Sequence, residues 1–169
     1  MFTTHTLETA PRESQPTMRT IAERSDGAIP EAVARLATSP ELLNGFLALS
    51  ASLESCTLDP LAREVVIMTI AVRNQCRVCV AMHTGKLHAL DAEPELVATL
   101  RENRSPSDAR LASIRAFTLD VLATAGAVDD DSLKTLFAHG YTERNALEVV
   151  MAIGAYTMST FANRLVRAA

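Results

Sequence analysis

The chain of 169 residues predicts an all-α fold, a helical bundle built as one domain. Three observations point there. Gly and Pro total 13 residues and aromatics only 4%, too few for a sandwich or barrel with many tight turns. Apolar residues recur at helical rather than strand spacing. Start signals of the Ser-Pro, Asp-Pro and Thr-x-x-Asn kind precede those runs. The formal charge of −4, with 48% hydrophobic and 21% charged residues, describes a globular chain with no strongly basic domain, which argues against nucleic-acid binding.

Residues 1–29 read as an N-terminal arm, loose to about Thr9, and a first helix over 11–25 that opens at Pro11 and breaks at Asp26-Gly27. Residues 30–169 read as the main helical domain. Its first segment is a short helix over 30–38. Ser39-Pro40 then caps and starts a helix in which Leu42, Leu43, Phe46, Leu47 and Leu49 repeat at helical spacing. Asp59-Pro60 repeats the signal for 60–73, and Asn74 reads as the cap of a helix running to about Leu90. Helices follow over 94–102 and 106–125, the latter stopped by Gly126. Asp129-Asp130-Asp131 opens a helix to about His139, ended by Gly140, and Thr142 with Asn145 opens the last, to about Arg167. This last helix is apolar nearly all round from Ala146 to Val166, the mark of a buried central helix or a subunit interface.

Three cysteines are too few for a disulfide scaffold. The N-terminus lacks the basic start and apolar run of a secretory signal. The apolar stretches 65–72 and 149–163 fall short of the roughly 20 residues a bilayer requires. A cytoplasmic protein with no membrane partner is expected, in which a close cysteine pair is redox-active or metal-binding more often than structural.

The chemistry concentrates in one segment. On a helix, Cys76, Cys79 and His83 fall within about 60° of one another and form a stripe. With Asn74 as cap, Cys76 would lie in the first turn, where free N–H groups and the dipole favour a thiolate. His83 can exchange protons near neutral pH, and Glu64, twelve residues before Cys76, could complete a relay if the chain bends back. A buried pair of small residues is the bland alternative, weakened by the third reactive group on the same face. A thioredoxin-like site would need a βαβ setting. Zinc held by Cys76, Cys79, His83 and His88 is disfavoured, because His88 sits about 140° round the helix from His83 and one straight helix cannot surround a tetrahedral ion.

The order Glu64, eleven residues, Cys76-x-x-Cys79-x-x-x-His83, after Leu58-Asp59-Pro60, resembles the alkylhydroperoxidase AhpD-like members of the carboxymuconolactone decarboxylase family. So do the Ser39-Pro40-Glu41-Leu42-Leu43 helix, the Gly140-Tyr141-Thr142 turn and the ending Phe161-Ala162-Asn163-Arg164-Leu165, so that the similarity spans about 30–167. The resemblance implies a homo-oligomer, a trimer or hexamer, that reduces hydroperoxides. Carried over by position, Cys79 would attack the peroxide and Cys76 would resolve the sulfenic acid as a disulfide. A dithiol such as a lipoyl group, or a thioredoxin-type protein, would reduce that disulfide, with no bound cofactor or metal. Glu64 and His83 would relay protons. The residues by themselves do not choose between the cysteines: the helix-terminus effect favours Cys76 as the more acidic thiol, and the assignment of Cys79 rests on the resemblance. The best-studied family pattern has a second histidine between the cysteines, where this chain has Val78, which predicts weaker peroxidase activity or another substrate. A thiol-disulfide exchange or sensor role, and a decarboxylase-like reaction on a small organic acid, are the competing readings. Retention of both cysteines favours the redox branch.

Other groups carry bland expectations. Cys56 is a free, inert thiol; His88 and His139 are helix-end residues; His5 lies in the arm; Met151 and Met158 fill the core. Asn163 and Arg164, polar and late in an apolar helix, require a partner elsewhere in the fold.

Overall fold

The structure is a computed structural model that describes residues 2–168, and all of its regular elements are helices. They are α1 (Gln15–Glu23), α2 (Glu31–Leu36), α3 (Pro40–Glu54), α4 (Pro60–Arg73), α5 (Arg77–Ala89), α6 (Pro94–Arg101), α7 (Ala109–Thr124), α8 (Asp130–Ala138) and α9 (Glu143–Leu165). No helix among the described residues is long and apolar enough to cross a membrane.

The start signals work as expected at α3, α4, α8 and α9. Ser39 accepts from Leu42 N–H, Asp59 from Ala62 N–H and Asp129 from Ser132 N–H, while Thr142 and Asn145 form a reciprocal capping box. Elsewhere the boundaries differ for identifiable reasons. The first helix begins at Gln15 rather than Pro11, because Pro16 lacks an N–H and fits only the first turn. The segment before it is tied down: His5 N–H donates to Ala34 carbonyl, Thr6 and Thr9 bond each other, and Ala10 is buried. The expected loose arm is therefore an ordered flap. The helix expected from Pro106 starts at Ala109, where the Asp108 carboxylate takes the Leu111 N–H and fixes the entry.

At the centre lies α4, against α5, α6, α7 and α9. Its residues Val65, Val66, Ile67, Met68 and Ile70 are all buried, since neighbours surround it and a one-sided apolar stripe would leave faces unpaired. Ile114, Phe117 and Val121 of α7 and Val149, Ala152, Ala155 and Tyr156 of α9 complete this core. A second cluster joins Met18, Leu36 and Leu43 of α1–α3 to Ala162 and Val166 at the end of α9. Helix α9 thus spans both clusters. It is not buried all round, because Leu147, Val150, Phe161 and Leu165 face outward.

Candidate active site

The joint between α4 and α5 builds the site. Asn74 does not start α5: it ends α4, Gln75 follows with a left-handed φ of 55°, and Cys76 occupies the N-cap in extended conformation. Asn74 is unavailable as an N-cap because its amide donates to Thr160 Oγ1 on α9 at 2.9 Å. Arg164 Nη1 closes the same joint by donating to the Asn74 carbonyl at 2.8 Å. Asn74 and Thr160 are buried, so these bonds lock the turn across the fold.

Cys76 and Cys79 therefore meet across the first turn of α5 with their sulfurs 3.0 Å apart. A disulfide requires about 2.05 Å, so about 1 Å of closure converts the pair. Both residues are buried and carry free thiols. The Cys76 thiol is pulled down to about 6, chiefly by a hydrogen bond from Cys79. Burial opposes this, and the first-turn amides of Val78 and Cys79, with Asn163, assist it. Neither amide makes a capping bond of normal geometry, so their effect is that of oriented dipoles. Cys79 is pushed well up, by its bond to Cys76, by burial and by the Cys76 charge, against the pull of Asn163 and Ser159. The two sulfurs share one hydrogen bond, and the opposite directions of the two shifts make Cys76 the more acidic thiol of the pair.

One turn on, His83 Nδ1 lies 2.6 Å from Glu64 Oε2, with each side chain 2% exposed. Where the carboxylate accepts, Nδ1 is the donor, and Nε2 has no hydrogen-bond partner among the described residues. Tyr156 packs edge-on against the imidazole at 5.1 Å and holds the ring. The bend at Asn74–Gln75 thus returns Glu64 to His83, and Cys79 and His83 share the inward face of α5, one turn apart. Glu64 contacts His83 rather than the thiols.

The partners required by Asn163 and Arg164 are now visible. Asn163 Nδ2 donates to Cys79 Sγ at 3.4 Å, and Arg164 holds the Asn74 carbonyl. Sequence reasoning missed Tyr156 and Ser159. Their signal was present, because Tyr156, Ser159 and Asn163 recur at helical spacing and form a polar stripe on the face of α9 that meets the site. His88 is exposed on α5, His139 bonds the Thr135 carbonyl at the end of α8, and Cys56 packs partly buried against the core. Met151 packs against that core, and Met158 lines a groove between α7 and α9. Among the described residues no three His, Cys, Asp or Glu side chains converge as a metal site.

A recess of about 420 Å³ opens in front of Cys76, lined also by Gln75, Arg77, Asn163, Arg164 and Arg167.

Residues 40–120, from the start of α3 into α7, match the carboxymuconolactone decarboxylase family. No curated protein matches the chain by sequence. Among solved structures, the AhpD core of an uncharacterised peroxidase-related protein from Ralstonia eutropha JMP134 superposes with a TM-score of 0.87 at 19% identity, covering 99% of this chain and 90% of that one. An uncharacterised peroxidase-related protein from Silicibacter sp. TM1040 gives 0.78 at 22% identity, covering 95% and 85%. A protein of unknown function from Agrobacterium tumefaciens, named as a candidate AhpD antioxidant defence protein, gives 0.61 at 22%, covering 79% and 91%. At these identities the likeness is one of fold.

Proposed function

From the match of residues 40–120 to the carboxymuconolactone decarboxylase family and the AhpD-like fold, we propose that this chain is a thiol-dependent hydroperoxide reductase. The observation that carries the reading is the pair of free thiols 3.0 Å apart, with the buried Glu64–His83 pair one helical turn beyond. The peroxidase-related and antioxidant names of the neighbouring structures support the same direction.

In the reaction proposed, Cys76 thiolate attacks the terminal oxygen of ROOH and the O–O bond breaks. The departing alkoxide takes a proton and leaves as ROH, and Cys76 becomes a sulfenic acid. Cys79, deprotonated through the His83–Glu64 relay, attacks that sulfur, hydroxide leaves as water, and the disulfide closes. A dithiol then returns two electrons and two protons and is itself oxidised to a disulfide. Charge and access to the recess favour Cys76 as the attacking group, the reverse of the order the resemblance implies. The reductant is an external dithiol, a lipoyl group or a thioredoxin-type protein, rather than a bound cofactor. The outward apolar face of α9 is proposed as the contact of a homo-oligomer, and the compartment as the cytoplasm.

The test is steady-state consumption of an organic hydroperoxide with a dithiol, beside Cys76→Ser and Cys79→Ser. Both variants are expected to lose steady turnover. One peroxide equivalent should yield a trappable sulfenic acid in Cys79→Ser and none in Cys76→Ser, and the opposite pattern restores the order implied by the resemblance. Val78 in place of a second histidine makes slow turnover the expectation. A reversible Cys76–Cys79 disulfide without turnover would move the function to thiol-disulfide exchange, and turnover of a small organic acid surviving loss of both cysteines would make it a decarboxylase-like enzyme.

A further inference from the structure

The recess in front of Cys76 is electrostatically unlike the rest of the chain. The protein carries a net charge of −4, yet Arg77, Arg164 and Arg167 line this space and, among the described residues, no carboxylate side chain does. Arg77 and Arg167 have no acidic partner among the described residues, whereas Arg164 spends one nitrogen on the Asn74 carbonyl. A neighbouring recess shares Gln75 and Arg77 and adds Arg101, so the cationic lining continues past the rim. Uncompensated guanidinium groups around one cavity repel one another unless an anion joins them, and their planar forks suit a carboxylate.

A second observation points independently to a ligand. Asn163 is 4% exposed and lines the same recess, and its Oδ1 is a buried acceptor without a hydrogen-bond partner. A buried acceptor left unpaired is costly, and a bound donor relieves it. The terminal O–H of a hydroperoxide is such a donor. The recess, at about 420 Å³, lies in the range of small-molecule sites.

We propose that this recess is a carboxylate-binding subsite, so that the preferred substrates are organic hydroperoxides that also carry a carboxylate. The arginines hold the carboxylate, and Asn163 Oδ1 accepts from the hydroperoxide O–H and holds it in front of Cys76. This deepens the hydroperoxide-reductase reading and rests on it.

Two measurements on the full chain separate the subsite from the reaction. The first compares alkylation of Cys76 by iodoacetate, which is anionic, and iodoacetamide, which is neutral. Their rate ratio cancels any change in thiolate fraction. It is expected to exceed that of a simple cysteine peptide by about tenfold, the effect of one charge-assisted contact. Arg77→Ala with Arg167→Ala should return it to the peptide value, and the corresponding Lys pair should recover part. A ratio equal to the peptide's in the wild type overturns the subsite.

The second measurement compares a carboxylate-bearing hydroperoxide with its methyl ester under one neutral dithiol. The acid is expected to have about tenfold lower KM at similar kcat. A matched arm holds a neutral hydroperoxide fixed and compares a carboxylate-bearing dithiol with its amide. Preference in that arm alone assigns the carboxylate to the reductant and overturns the substrate proposal. Equal KM for acid and ester, with turnover present, overturns it too and leaves the reductase reading standing. A raised alkylation ratio without turnover of either hydroperoxide supports the carboxylate subsite and overturns the reductase reading.

Discussion

Glu64 and His83 are two residues whose meaning depends on each other. Alone, either would be a costly polar group in a dry core; together they satisfy one another and leave one imidazole nitrogen free. Replacing Glu64 with Gln keeps the shape and a hydrogen bond but removes the charge that would stabilise an imidazolium. Steady-state peroxide turnover is expected to fall by about 10²-fold with the thermal midpoint little changed. The thiols yield a separate prediction. Iodoacetamide reacts with the thiolate, so the wild-type rate at Cys76 should be half-maximal near pH 6 and fall below it. In Cys79→Ala the bridging donor is gone, and the midpoint should move up toward the ordinary thiol value of about 8.5; an unmoved midpoint would mean that the amides alone acidify Cys76. Most of this chemistry was legible because Cys76, Cys79 and His83 share one helical stripe. Asn163 was legible only as a side chain in need of a partner, since that partner lies 84 positions away and no local pattern encodes it.

Helix boundaries were read well where one side chain does one job. Asp59, Ser39 and Thr142 cap their own helices and announce it. Asn74 misleads because its amide is spent across the fold on Thr160, leaving the cap to Cys76, a residue type no capping preference would nominate. Pro16 carried the true start of α1, and reading Pro11 as the opening overlooked it. Helix α9 was too apolar for periodicity to tell an inner face from an outer one. Its outer face exposes Leu147 by 71%, Val150 by 48%, Phe161 by 57% and Leu165 by 69%, an apolar stripe of the kind that marks association. Leu147→Glu with Phe161→Glu is expected to reduce the mass of the particle in light scattering to that of one chain, with helical circular dichroism preserved. A wild type already at 18.2 kDa would sink the proposed self-association.

Across the whole molecule, the start of α9 is pinned to the α3–α4 link chiefly by the Glu148 carboxylate, beside a bond from Asn145 Nδ2 to Thr57 Oγ1. Glu148 accepts from the Thr57 backbone and hydroxyl, from Leu58 N–H, from Asn145 and from Arg144. Burial pushes its pKa up, but these donors outweigh burial and hold it below the usual value of 4.5. A depressed carboxylate contributes stability above its unfolded value and loses that contribution as pH falls through the lower folded value. Glu148→Gln should therefore cost about 1–3 kcal/mol at pH 7 in urea unfolding and flatten the wild type's decline below about pH 4.5. The overall fold class was legible because helix periods, caps and composition agree. This pin was not, because Glu148 looks like any charged residue on an apolar helix until Thr57 folds back onto it.

The joint that carries the thiols depends on residues far along the chain: Asn74 waits for Thr160, Cys79 for Asn163, and the Asn74 carbonyl for Arg164, at separations of 86, 84 and 90 residues. During synthesis, Cys76 and Cys79 therefore leave the ribosome long before the helix that encloses them. At about 5–20 residues per second they spend several seconds or more as ordinary exposed cysteines. The selectivity of the finished site begins only when α9 docks, and until then the newborn chain can be trapped as a mixed disulfide by any small oxidised thiol it meets.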